Sequence, residues 1–148
     1  MDLNQKVAAG LKQAMINKDE ARKRTLRAIK SQILLFKTDG KNNELTLDLE
    51  IKMVQKMVKE RQDSYDIYMK QNREDLASVE KEEIDILKEY LPAQMDIIEL
   101  RNQIKHIIDE LGASSMKEMG KVMGIASKKF AGVSDGKTIS SIVRELLS

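Results

Sequence analysis

Proline occurs once in these 148 residues, at Pro92, and on both sides of it apolar residues recur at the three-to-four-residue spacing of an amphipathic helix. A β-sandwich or barrel needs frequent turn residues and β-formers. With seven glycines and 3% aromatics, this chain has few of either. The expected fold is all-α. Its core must come from Leu, Ile, Val, Met and Ala, because there is no Trp and little Phe or Tyr.

Seven helices follow from the period. The first covers about Asp2 to Asn17, with Leu3, Val7, Leu11, Ala14 and Met15 on one face. Asp19 suits the N-cap of a second, in which Ala21, Thr25, Ile29, Ile33 and Phe36 turn inward. A polar loop, Thr38-Asp39-Gly40-Lys41-Asn42-Asn43, separates it from a long third helix opened by Thr46. That helix directs Leu47, Ile51, Val54, Val58, Tyr65 and Tyr68 to one side. A fourth buries Leu76, Val79, Ile84, Leu87 and Leu91, and stops before Pro92, whose ring disfavours helix in the residue ahead of it.

Three shorter helices come after the proline. Asp96 caps the fifth, which turns Ile97, Leu100, Ile104, Ile107 and Leu111 inward and stops at Gly112. Ser115 and Glu118 have the spacing of a capping box for the sixth, with Met116, Met119, Met123, Ala126 and Phe130 buried. Asp135 caps the last, which bears Ile139, Ile142, Val143, Leu146 and Leu147. The break at Pro92 divides the chain into an N-terminal helical domain of about four helices, residues 1–92, and a three-helix tail, residues 96–148. The expectation is therefore a two-lobed protein with two separate apolar clusters.

The net charge of +2 conceals an uneven distribution. Residues 1–37 hold nine Lys and Arg against three acids, residues 38–95 nine against fourteen, and residues 114–148 six against three. Basic charge at both ends of the chain suits an anionic partner, or the acidic middle of the chain itself. There is no Cys, which excludes disulfides and Cys zinc sites. His106 is the only histidine and falls on the polar side of its helix, so neither a metal nor a cofactor is expected. The run Glu80-Lys81-Glu82-Glu83 has the look of a solvated helix face. No catalytic constellation emerges. The N-terminal Met1-Asp2-Leu3-Asn4-Gln5 lacks the layout of a secretory signal, and no apolar run approaches the ~18 residues of a membrane span. The expected compartment is the cytoplasm.

Two basic stripes remain. On the sixth helix Lys117, Lys121 and Lys128 fall within about 40° of one another at 100° per residue, with Gly124 at the margin and Gly120 beyond it. Glycine inside a helix costs roughly 1 kcal/mol against alanine, so two of them need a reason. Either a neighbouring helix packs closely there, or bare backbone beside lysines lets a phosphate chain approach. Lys137 could extend that surface. On the second helix Lys23, Arg27, Lys30 and Lys37 recur along one face, flanked by Arg22 and Arg24. The absence of interleaved aromatics disfavours stacking on single-stranded bases and favours reading the backbone or shape of a folded RNA.

The run Tyr90-Leu91-Pro92-Ala93-Gln94-Met95, the stretch from Gly112 through Lys117-Glu118-Met119-Gly120-Lys121 to Gly124, and Asp135-Gly136-Lys137 before a short apolar helix resemble the GatB/YqeY family. Lys18-Asp19 followed by Arg24-Thr25-Leu26-Arg27 is similar as well, so the resemblance spans the chain. It implies the helical domain and three-helix tail found at the C-terminal end of GatB in the tRNA-dependent amidotransferase, a carbon–nitrogen ligase with glutamine as amido donor. In those relatives the tail meets tRNA, which assigns Lys117, Lys121, Gly124, Lys128 and Lys137 to the tRNA side. The large ATP-using domain of GatB has no counterpart here. The resemblance thus implies an accessory module that binds tRNA, alone or for a tRNA-charging or amidotransferase enzyme. The rival is a protein–protein adaptor docking through the second helix or the acidic middle, without RNA contact.

Overall fold

The computed structural model describes residues 1–41 and 44–148, and among them it is all-helical, with seven α-helices and no strand. Asn42 and Asn43 of the expected polar loop lie outside the described residues. The chain divides into two compact units, Met1–Leu91 and Pro92–Ser148.

Unit 1 is made of two helical hairpins. Helix α1 (Leu3–Asn17) begins in a capping box: the Asp2 carboxylate accepts from Gln5 N–H, and the Gln5 side chain accepts from Asp2 N–H. It ends at Lys18 in the left-handed region (φ 56°), and Asp19 then caps α2 (Glu20–Lys37) by accepting from Arg22 N–H. Helix α3 (Leu47–Lys70), capped by Thr46, turns tightly into α4 (Glu74–Lys88). At that turn Asn72 adopts φ 56° and Arg73 N–H reaches back to the Tyr68 carbonyl, a Schellman closure in which Asn takes the left-handed place usually given to glycine. Leu3, Val7, Leu26, Ile29, Ile33, Val54, Met57, Ile86 and Leu87 form the apolar cluster.

At the mid-helix Gly10, α1 packs closely against its neighbours. A Cβ there would stand 2.5 Å from the Tyr90 hydroxyl and 3.0 Å from Leu26 Cδ1. Charge also enters the packing of this unit. Glu83, expected on a wet face, is buried at 8% exposure. Its carboxylate lies 3.5 Å from Arg24 Nε of α2 and 3.7 Å from Arg61 Nε of α3. The cause is that α4 packs against both α2 and α3, so the arc it must cover is wider than one amphipathic stripe.

Unit 2 comprises α5 (Ile97–Leu111), α6 (Met119–Lys129) and α7 (Gly136–Leu147), each packed against the other two. Eleven buried residues from Leu100 to Leu147, Phe130 the largest, form its cluster. Asp96 and Asp135 cap α5 and α7, and Gly112 ends α5 at φ 65°. Arg101 clamps α5 to α7 through a two-pronged contact with Glu145, at 2.6 and 3.0 Å. Residues 93–95, which the helical period leaves as connector, are tied into this unit: Met95 N–H donates to the Val133 carbonyl at 2.8 Å, and the Gln94 amide to that of Gly132 at 3.0 Å.

Several inward assignments are corrected. Leu47 (68% exposed) and Ile97 (58%) are solvent-facing because each is the first residue after its cap and projects past the core. Met15, Val79 and Met116 are also exposed. Leu26, Ile108 and Val122 are buried beyond the positions assigned inward by the period.

Candidate nucleic-acid interface

The start of the sixth helical segment decides where its lysines stand. The expected Ser115–Glu118 box does not close. Ser115 makes no capping bond, and the Glu118 carboxylate instead accepts from Ser114 N–H at 2.6 Å. The chain therefore enters through one 3-10 turn, Met116–Glu118, before α6 begins at Met119. A 3-10 turn has three residues per turn rather than 3.6, so Lys117 is thrown off the α-helical stripe that simple spacing assigned to it.

The remaining residues come together. Gly120, Lys121, Gly124, Ile125, Lys128 and Lys129 line one open depression along α6. A Cβ at Gly120 or Gly124 would meet nothing within 4 Å, so no neighbouring helix uses these glycines for close packing. The close-packing explanation is thereby removed, and the first turn and the middle of α6 are left with bare backbone facing open space beside three cations. Ile125 is 41% exposed, an apolar side chain within the cationic rim. Lys129 Nζ sits 5.8 Å from the Phe130 ring centroid, within range of a cation–π attraction. Lys128 and Lys129 occupy the last turn, where the helix dipole favours positive charge. Lys137 is exposed in the first turn of α7, and neither it nor Lys117 lines the depression. Spacing alone omitted Ile125 and Lys129. Ile125 is four residues beyond Lys121 and Lys129 adjoins Lys128, so one more turn of the helical wheel would have found both.

The α2 stripe separates into cations that serve the fold and cations that do not. Arg22 holds Glu89 through both guanidinium nitrogens, at 3.3 and 2.9 Å, which raises its pKa above the usual arginine value. Arg24 reaches Glu82 and Glu83. Lys23 pairs with Glu20 at 3.1 Å. Arg27, Lys30 and Lys37 are exposed, and among the described residues none has an acidic partner within 4 Å.

His106 is exposed and stands 2.9 Å from Glu110. Among the described residues no group of three or more His, Asp or Glu is placed to hold a metal ion, and no helix is long and apolar enough to cross a membrane.

These features define an all-helical protein of two compact units with cation-rich helix faces. The chain belongs to the Yqey-like protein family, whose model matches residues 4–147. The GatB/YqeY resemblance is thus borne out over nearly the whole length. The chain is similar to altered inheritance of mitochondria protein 41, mitochondrial, from Clavispora lusitaniae, at 38% identity over 70% of this chain and 61% of the relative. The proteins of the same name from Lachancea thermotolerans (33%, over 71% of this chain and 57% of the relative) and Saccharomyces cerevisiae strain YJM789 (32%, over 68% and 56%) are similar too. The chain spans about three-fifths of the length of these relatives. Their names overturn the cytoplasmic expectation: the compartment attached to them is the mitochondrion. The sequence argument rested on a missing secretory layout, which does not speak to other destinations.

Proposed function

We propose that this protein is a tRNA-binding accessory module whose α6 face takes the phosphate backbone of a folded RNA. The observation that carries the reading is the pair of α6 glycines, Gly120 in the first turn and Gly124 in the middle of the helix, open to solvent beside Lys121, Lys128 and Lys129. A phosphate chain can approach bare backbone more closely than any side-chain-bearing surface, and lysines at that distance displace its counterions. Family membership supports the same direction, since the resemblance to the tail of the amidotransferase protein GatB implies contact with tRNA. In this reading the chain carries or presents tRNA to a charging or amidotransferase enzyme and performs no amide transfer itself.

The test is a tRNA titration at several salt concentrations, with duplex DNA as the comparison. Replacing Lys121, Lys128 and Lys129 with Gln should flatten the slope of log affinity against log salt by about two to three, one increment per lost phosphate contact. Lys117→Gln, off the stripe, should change it less. Gly124→Leu should weaken binding without lowering the melting temperature, because the added side chain enters open space and leucine favours helix over glycine. A triple variant with the parental affinity and slope would refute the reading.

A further inference from the structure

The exposed face of α2 carries two chemistries at once. At about 100° per residue, Lys23, Arg27, Lys30, Leu34 and Lys37 all fall within an arc of about 80°, with Leu34 among the cations rather than at their edge. Leu34 is 62% exposed and the adjacent Leu35 61%. The opposite side of the helix is committed: Thr25, Leu26, Ile29 and Ile33 are buried in unit 1. Arg22, Lys23 and Arg24 are engaged with acids of the same unit, whereas Arg27, Lys30 and Lys37 have no acidic partner among the described residues. A lone exposed leucine needs no explanation. Here Leu34 stands among three unpaired cations, and Leu35 lies about 80° beyond their edge on the same exposed side, so apolar and cationic surface adjoin across this face as in the centre and polar rim of an interface.

We propose that this face docks an acidic amphipathic helix of a partner protein, whose apolar stripe covers Leu34 and Leu35 and whose carboxylates meet Arg27, Lys30 and Lys37. Charge complementarity selects an acidic occupant. The leucines select a protein over RNA, because a phosphate backbone rewards cations but gains nothing from aliphatic side chains, and no aromatic residue stands on the face to stack on a base. A lipid surface is disfavoured because the apolar face an inserting helix would use is already buried in the unit. This surface is separate from the α6 depression and does not depend on it.

The probe is a designed 18-residue helix with Leu at i, i+3, i+4 and i+7 and Glu on its other side, titrated calorimetrically against the full chain. A control peptide carries Ala in place of each Leu. The designed helix should bind the parent at least about tenfold more tightly than the Ala control, and Leu34→Gln with Leu35→Gln should remove that margin. Arg27→Glu with Lys30→Glu should weaken both peptides, while Lys121→Gln with Lys128→Gln should leave both unchanged. Circular dichroism checks that each variant keeps its helices. Equal binding of the two peptides, or indifference to the leucine substitutions, overturns the proposal. So does tRNA competing with the peptide and losing affinity in the Arg27/Lys30 variant, which would make the face an RNA surface. Binding to phosphatidylserine vesicles that vanishes in the leucine variant would assign it to a membrane and overturn the proposal as well.

Discussion

The buried set of unit 2 is aliphatic apart from Phe130 and Ser134, whereas unit 1 takes Thr25 and a carboxylate, Glu83, into its helix packing. Aliphatic contacts tolerate small slides and repacking. A carboxylate held between Arg24 and Arg61 does not, because any shift leaves a desolvated charge behind. Three helices of unit 1 are thus held in register by one charge cluster. Unit 2 is held by the shape of its side chains and by bonds at its periphery, such as Arg101 to Glu145. The two units show that one chain can specify helix packing by polarity in one place and by volume in another.

The largest expected effects test that contrast directly. Phe130→Ala, at 1% exposure, should cost about 3–5 kcal/mol in denaturant unfolding, as large-to-small changes in a tight core do. Glu83→Ala should cost about 2–3 kcal/mol, somewhat under the ~3–5 kcal/mol of a fully buried pair, because its ion-pair distances are long. Arg61 Nε is buried without a hydrogen-bond acceptor, so adding Arg61→Met to Glu83→Ala should recover part of the loss. If the double variant is no better than the single one, charge does not set the register of unit 1.

Two glycines give a smaller effect of opposite sign. Gly124→Ala in α6 should raise stability by about 1 kcal/mol, since the methyl group meets nothing and the helix propensity improves. Gly10→Ala in α1 should forfeit that gain against the Tyr90 hydroxyl and Leu26. Equal shifts in melting temperature for the two would contradict the close approach at Gly10. The smallest effect concerns Glu80. Burial, then the nearby Glu83 charge, raises its pKa above the usual carboxylate value. Its ionised form is thus disfavoured in the folded state, and stability falls as pH rises through that range. Glu80→Gln should be slightly more stable than the parent at pH 7, and the difference should disappear below about pH 4, where both states bind the proton. A difference that persists at low pH would point to a cause other than charge.

Local chemistry was legible in the sequence, and arrangement between helices was not. Asp2, Asp19, Thr46, Asp96 and Asp135 announce helix starts because a cap is settled within three residues. Glu83 was misplaced because periodicity describes one helix about its own axis and is silent on how many neighbours cover it. Leu47 and Ile97 satisfied the period but sit ahead of the first covered turn. At the candidate site the lysines and glycines of α6 were visible as a pattern. The displacement of Lys117 was not, because it depends on whether Glu118 bonds to Ser114 or to Ser115, a choice made by the geometry of the turn. The emptiness in front of Gly120 and Gly124 depends on where other helices stop, which no spacing rule contains.

The bond from Met95 to Val133 has a consequence for the order of events during synthesis. Every helix of unit 1 precedes Leu91, so that unit has its full set of partners before the last helices of unit 2 are made. Residues 94 and 95 emerge early but find their carbonyl acceptors only on Gly132 and Val133. The entry strap of unit 2 therefore stays unfastened until Gly132 and Val133 have been made, and only the contacts of α7 with α5 and α6, Arg101 to Glu145 among them, come later in the chain.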